Sequence, residues 1–181
     1  ERIARLDRRY ADGFTLTPFR GHADPHTLTL DLGDAPRPAV LLLTGWTDYA
    51  FSSDNVAAHQ AGVTAVAPSL QIKGGNGRWR AANAPIGIPV GRPQTIAVDL
   101  SADLGAGERE VRIVTNMRIY WDQILVGRGT STEHVRITRL APRDATLRLR
   151  GFSAEVRPHG SEPPIYDYAR VTPTSPWKTM A

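Results

Sequence analysis

The amino-acid sequence predicts an all-β protein: a jelly-roll or galactose-binding-like β-sandwich with an extended, proline-rich strap at its C-terminus. One observation is that about nine or ten short segments alternate apolar and polar residues, with a turn about every ten residues. The other is that little of the chain has the apolar spacing of a helix. Many short strands joined by glycine- and proline-containing turns are typical of a sandwich or jelly roll.

The densest apolar and aromatic run lies at residues 111–126. Its odd positions, such as Val111, Ile113 and Trp121, are mostly large and apolar, and polar residues stand between them. A period of two indicates strands with one buried face. Because strands rarely exceed about 10 residues, a break or bulge is expected near Thr115 and Asn116, giving two strands or one bent strand.

Three parts of the chain are expected. Residues 1–13 are an N-terminal arm or short helix, residues 14–157 the β-sandwich domain, and residues 158–181 the extended strap. Within the domain, one helix is expected at 56–61 and a hairpin at 69–80. Further strands are expected at 14–19, 26–32, 39–46, 94–100, 133–140 and 145–152.

The strap is expected to be ordered, because it contains three aromatic residues and disordered segments are poor in them. These are Tyr166, Tyr168 and Trp177. Tyr166 and Tyr168 are two residues apart, so an extended chain presents both on one face. Asp167 should point the other way, toward solvent or an arginine.

Composition limits the function. The 181-residue chain has no cysteine, which excludes disulfides and thiolate metal sites. The net charge is +4, and the arginines are scattered along predicted strands rather than clustered, so no nucleic-acid binding is expected. This positive balance suits an acidic protein partner. No run approaches the about 20 apolar residues that span a bilayer, so membrane association is expected only peripherally, through a membrane-bound complex.

Candidate chemistry is sparse, and no enzyme is predicted. The sequence has no Gly-x-Ser-x-Gly nucleophile motif and no phosphate-binding loop. Two histidines flank a short turn, and several carboxylates are expected to be solvated turn residues. Side chains near position 50 carry oxygen atoms that could bind a structural Ca²⁺ ion, and this ion is the one cofactor considered. The two histidines are His22 and His26, and the turn carboxylates are Asp99, Asp103, Glu108 and Glu110. The oxygen ligands considered for Ca²⁺ are Asp48, Asp54 and Asn55.

Asp122 lies in an apolar strand and needs a partner, since an unpaired buried charge costs several kcal/mol. Arg118 is the first candidate for a structural ion pair, and Arg112 the second. Exposed aromatic residues are the candidates for partner or glycan contact. Trp79 ends a hairpin between two arginines and is expected to be exposed. The candidate contact residues are Trp79, Tyr49, Arg78, Arg80, Tyr166, Tyr168 and Trp177.

Several motifs together resemble a module found near the C-terminus of large bacterial extracytoplasmic proteins with FG-GAP or tetratricopeptide repeats, often beside ASPIC/UnbV-type segments. The motifs are LLLTGWTDYAFSSDN, GRPQTIAVDL, VRIVTNMRIYWDQI, GFSAEVR and YDYARVTPTSPWKTM, and they cover about residues 44–180. No catalytic residues are carried over from that module. The resemblance implies an exported location, periplasmic or extracellular, and an interaction role. Here no repeats precede the module, so we expect a free-standing version.

The expected function is a non-catalytic, extracytoplasmic protein-interaction module, an accessory or structural subunit docked on a larger assembly. The alternative is a carbohydrate-binding module with a structural Ca²⁺ ion, in which Trp79 and Tyr49 stack on sugar rings. A hydrolase is a third reading, and it would need carboxylates or a Ser-His pair that converge only in the fold.

Overall fold

The structure, a computed structural model, describes residues 3–34, 37–129, 136, 138–157, 160 and 164–174. The chain divides into two compact units, Glu1–Thr130 and Ser131–Ala181. The division therefore falls earlier than the predicted end of the domain at residue 157.

The first unit contains two antiparallel sheets and one helix. Its strands pair in the orders β1-β6-β3-β4 and β5-β2-β7. The elements are β1 (His22–Asp31), β2 (Ala39–Thr47), α1 (Ser52–Gln60), β3 (Ser69–Lys73), β4 (Trp79–Ala81), β5 (Gln94–Asp99), β6 (Glu110–Met117) and β7 (Ile119–Arg128).

Both sheets contribute to one hydrophobic core, which confirms the all-β sandwich. The four-stranded sheet supplies aliphatic side chains from β1, β3 and β6, and the three-stranded sheet supplies those of β2, β5 and β7. The core residues are Leu30, Leu70, Ile72, Val111 and Ile113 from the first sheet and Ala39, Leu41, Leu43, Val98, Ile119 and Trp121 from the second. Leu100 and Leu104 complete the cluster. The jelly-roll strand order stays a prediction.

The long apolar run forms two strands, as predicted, but the break lies at Arg118 rather than near Thr115 and Asn116. At Arg118 the chain passes from one sheet to the other, since β6 pairs with β1 and β3 whereas β7 pairs with β2. Near this crossing the alternation is interrupted: Thr115 and Asn116 are both buried, Met117 and Arg118 are both half-buried, and burial resumes at Ile119.

A second irregularity reverses the alternation within β7. Thr44 pairs with Gln123 and Gly45 with Trp121, which leaves Asp122 as an extra residue. Such a bulge shifts the side-chain phase by one position. Consequently Leu125, expected to be buried, is 44% exposed.

Other strand predictions were wrong. Residues 14–19 form no strand, only a single bridge between Leu16 and Ala23. Residues 138–140 and 145–151 also lack strand structure, and Leu140, Leu147 and Leu149 are exposed. Alternation alone does not make a strand when no neighbouring strand completes the hydrogen-bonded ladder. Residues 133–135 and 137, also predicted to be strand, lie outside the described residues.

The N-terminal segment is an arm and not a helix. The Ile124 N–H donates to the Ile3 carbonyl at 2.9 Å, and the Ala11 N–H donates to the Trp121 carbonyl at 2.8 Å. The described part of the arm therefore runs along the edge of β7 and covers it. Its Leu6 is exposed, so this side chain packs on neither sheet.

In the second unit, β8 (Phe152–Val156) pairs with β9 (Ile165–Thr172) in antiparallel fashion. The predicted strap is extended over these eight residues, but here it is a strand paired with β8. The register shifts between Ser153 and Ala154, which pair with Val171 and Asp167. Residues 168–170 therefore have no direct partner across the hairpin.

Candidate binding surface

Arg118 joins two loops at the crossing between the sheets. Its backbone N–H donates to the Gly21 carbonyl at 3.1 Å, and its own carbonyl accepts from the Asp48 N–H at 3.0 Å. Gly21 has φ +83°, and a Cβ there would lie 2.4 Å from the Ala50 nitrogen. Only glycine permits this approach, so loops 17–22 and 48–51 lie directly against each other.

The Arg118 side chain fixes the same two loops. Its guanidinium donates to the carbonyls of Thr17 at 2.6 Å, Phe19 at 2.9 Å and His22 at 2.8 Å. It also lies 3.5 Å from an Asp48 carboxylate oxygen, and the side chain is only 12% exposed. The planar fork of arginine can reach several acceptors at once, which a lysine cannot do.

The predicted ion pair between Arg118 and Asp122 does not form. Asp122 instead accepts backbone N–H groups of the N-terminal arm, from Arg8 at 2.9 Å and Asp7 at 3.2 Å. Residues four apart along a strand are separated by about 13 Å, which is too far for a contact. The carboxylate thus anchors the arm to β7.

Next to Arg118 lies an exposed cluster of one arginine and two aromatic rings. Arg20 is 2.8 Å from the Asp48 carboxylate, and its guanidinium lies 4.6 Å from the Phe51 ring centre and 6.0 Å from that of Tyr49. The two rings meet edge to face at 5.9 Å. Tyr49 is 44% and Phe51 49% exposed. We call Arg20, Asp48, Tyr49, Phe51 and Arg118 the aromatic corner.

The start of helix α1 holds the Phe51 backbone. The Phe51 N–H donates to the Asp54 carboxylate at 2.9 Å, as in a helix N-cap. The aromatic ring therefore projects from a backbone fixed on one side by α1 and on the other by Asp48. Sequence reasoning pointed to the aromatic residues here but missed Arg20 as their neighbour.

Trp79, predicted to be the exposed aromatic residue, is half-buried. The Arg112 guanidinium lies 4.4 Å from its ring centre and the Lys73 ammonium 5.9 Å away. Arg80 donates to the Glu108 carboxylate at 2.7 Å, whereas the Arg78 side chain is exposed. Cations therefore already occupy the ring of Trp79, and among the described contacts none joins it to the aromatic corner.

Asp103 was expected to be a solvated turn residue but is buried. It accepts the backbone N–H groups of Asn83 and Ala84, both at 2.8 Å, and the Asn83 side-chain amide at 3.0 Å. These bonds, that from the Asn83 backbone first, hold the pKa of Asp103 below its ordinary value. The Gly105 N–H and Arg80 similarly lower the pKa of Glu108. Both carboxylates tie loops together.

The oxygen ligands proposed for Ca²⁺ each have a protein partner. Asp48 pairs with Arg20, Asp54 binds the helix N-terminus, and the Asn55 amide oxygen lies 3.2 Å from His22 Nε2. Within the described ranges, no group of three or more His, Asp or Glu side chains is placed to hold a metal ion.

A second aromatic group covers the outer side of β2 and β7, and sequence reasoning missed it. Trp46 stacks on Tyr120 at 5.0 Å, and Tyr10 meets both rings edge to face. Phe14 stacks on His26 at 4.6 Å, beside a small cleft of about 120 Å³. Burial raises the pKa of Tyr10 and Tyr120. These residues pack the arm onto the sheet.

In the second unit, Tyr166 and Tyr168 lie on one face of β9, as predicted, with ring centres 6.5 Å apart. Both side chains are exposed. Asp167 points the other way and pairs with Arg170 at 2.8 Å. Trp177, the third aromatic candidate, lies outside the described residues.

Comparison of the chain with models of protein families, with curated proteins and with solved structures finds no significant match. The resemblance to the FG-GAP-associated module therefore stays a prediction. None of the helices among the described residues is long and apolar enough to cross a membrane.

Proposed function

We propose that this chain is a non-catalytic protein-binding module that docks on a larger protein assembly through the aromatic corner. The observation that carries the proposal is a half-exposed Tyr49–Phe51 pair around Arg20, held in place by the largely buried Arg118 side chain. Tyrosine and arginine are enriched among the residues that dominate binding energy in interfaces.

Pre-organisation strengthens this argument. Side chains that are ordered only upon binding lose about 0.5–1.5 kcal/mol each. Here the Arg20 guanidinium is already placed by Asp48 and by the ring of Phe51. The two rings are supported by a backbone that Arg118 and Asp54 fix on both sides. A partner therefore meets a surface whose shape changes little.

The chemistry of the corner defines the partner. Two half-exposed rings fit an apolar depression on another protein, and the exposed Arg20 fits a carboxylate at its rim. The net charge of +4 favours approach to an acidic surface. The proposal includes the exported location, periplasmic or extracellular, that the sequence resemblance implies, with the chain as an accessory subunit of its partner.

Site-specific photocrosslinking tests this function. A photoreactive phenylalanine analogue replaces Phe51 in the source cells, and Val66, which is 49% exposed in the loop before β3, serves as the control position. We expect a protein adduct at position 51 that is absent at position 66. Equal adducts at both positions, or a native protein that is monomeric without any adduct, would contradict the proposal.

A carbohydrate-binding module is the second candidate, and the exposed ring of Tyr49 favours it. Because the Arg112 guanidinium covers the ring of Trp79 and that of Arg20 lies 4.6 Å from the centre of the Phe51 ring, sugar stacking belongs at Tyr49 instead. A glycan array with the intact protein, repeated with Tyr49→Ala and Trp79→Ala, tests this. A carbohydrate-binding function requires that the intact protein binds a glycan and that Tyr49→Ala abolishes this binding. An array without any signal would rule this function out.

A further inference from the structure

The edge strands of the two sheets differ in how they are protected from pairing with another chain. An open strand edge invites pairing with another chain, and proteins usually block it by covering, shortening or interrupting it. The N-terminal arm covers β7 through Ile3 and Ala11. Strand β4 has only three residues, and β1 contains Pro25 and an irregular register near its start. Strand β5 has none of these features.

The register shows which groups of β5 remain open. The Leu100 N–H donates to the Ala39 carbonyl, and Val98 lies opposite Leu41. Hydrogen-bonded positions alternate in an antiparallel pair. The backbone groups of residues 94, 96 and 98 therefore face β2, and those of Thr95, Ala97 and Asp99 point away from it. In the described part of the chain, no backbone hydrogen bond occupies these outward groups.

We propose that β5 pairs with β5 of a second copy of this chain, antiparallel across a two-fold axis at Ala97. Ala97 then faces its own counterpart, and Thr95 faces Asp99 of the other copy. All three residues exchange both of their outward hydrogen bonds, and the three-stranded sheets of the two copies become one continuous sheet. A two-fold axis makes this contact self-complementary and closed.

Among the registers that place one of these three residues on the two-fold axis, the sequence favours the one centred on Ala97. An axis at Thr95 would place Ala97 opposite Pro93, which has no N–H to donate. An axis at Asp99 would place two carboxylates directly opposite each other, which is destabilising. The axis at Ala97 puts small, uncharged side chains at the centre and a threonine hydroxyl opposite each carboxylate. All three outward side chains are exposed, so pairing disturbs no core residue.

Cysteine crosslinking measures the register directly, because the chain contains no cysteine. At the axis, two Ala97 Cα atoms would be about 5.5 Å apart, within the range that a disulfide spans. Two Thr95 Cα atoms would be about 14 Å apart, four strand residues away. We expect Ala97→Cys to oxidise to a covalent dimer and Thr95→Cys to remain monomeric. Equal crosslinking of both variants would overturn the proposal.

Sedimentation velocity of the full chain provides the second readout. The unmodified protein should show a concentration-dependent dimer. Ala97→Lys places like charges across the axis and should weaken self-association by at least about tenfold. Ala57→Lys makes the same change on the exposed surface of α1 and should leave the dimer intact. An unmodified protein that stays monomeric, or a dimer unaffected by Ala97→Lys, would refute the pairing.

Discussion

Arg118 and Arg20 both pair with the Asp48 carboxylate, and this makes them a matched test of what holds the aromatic corner together. Arg118 is 12% exposed and also donates to three backbone carbonyls. Arg20 is 45% exposed, and among the described residues its side chain makes one hydrogen bond, to Asp48. Replacement by methionine keeps much of the apolar length of each side chain and removes its charge.

The expected magnitudes differ clearly. Each of the three carbonyl bonds of Arg118 is worth about 1 kcal/mol or more, since the donor is charged and the acceptors lose their partner. Arg118→Met should therefore lower the free energy of unfolding by about 3 kcal/mol. The exposed pair of Arg20 is worth no more than about 1 kcal/mol, and Arg20→Met should stay within that loss.

Urea denaturation followed by tryptophan fluorescence measures both values. Arg118→Lys is the informative third variant: it retains the charge but cannot reach three divergent carbonyls, so it should lose nearly as much stability as Arg118→Met. If Arg118→Met and Arg20→Met proved equally stable, the carbonyl bonds would contribute nothing and the role assigned to Arg118 would be wrong.

The remaining predictions concern other buried contacts. Since the folded-state pKa of Asp103 is lowered, its stabilisation is present above the unfolded pKa of about 3.9 and lost as pH falls further; Asp103→Asn should flatten that acid limb of a stability–pH profile. Gly45→Ala would bring a Cβ within 2.5 Å of the Tyr120 carbonyl and should cost about 1–3 kcal/mol in urea, whereas Gly127→Ala, with nothing within 4 Å, should not destabilise. The Tyr10 hydroxyl is buried without a hydrogen-bond partner among the described residues, so Tyr10→Phe should leave the melting temperature unchanged or higher.

Each of these predictions has a contradicting outcome. An acid limb identical in both proteins would show that Asp103 titrates alike when folded and unfolded. Equal stability of Gly45→Ala and Gly127→Ala would show that the backbone of Gly45 does not lie as close to the Tyr120 carbonyl as the structure has it. A loss of several degrees in Tyr10→Phe would reveal a hydrogen bond that the hydroxyl makes.

Period-two patterning predicted the strands correctly where a neighbouring strand completes the ladder. The alternation in Leu28, Leu30 and Leu32 gave β1, and the run at 111–126 gave β6 and β7. It failed at 145–151, where the same alternation has no described partner strand. Alternation reports which face could be buried, and pairing depends on residues far away in sequence.

The candidate site was predictable only in part. Tyr49 was identified from its residue type alone. Arg20 reaches the same site through its bond to Asp48, which lies 28 positions later in the sequence, and no local pattern predicts that contact. The Asp122 partner was misassigned because charge complementarity ignores strand geometry: Arg118 is near in sequence but lies at the sheet crossing. Trp79 was expected to be exposed, but the cross-strand position of Arg112 relative to β3 brings a cation over its ring.

The most direct test of the central claim is the affinity of the recovered partner for variants of the aromatic corner, measured by isothermal titration with purified proteins. Phe51→Ala and Tyr49→Ala should each weaken binding at least about tenfold, as expected for hot-spot residues. Val90→Ala, an apolar truncation of similar exposure elsewhere, should leave the affinity unchanged. Unchanged affinity in both corner variants, with their folds intact, would contradict the proposed binding surface.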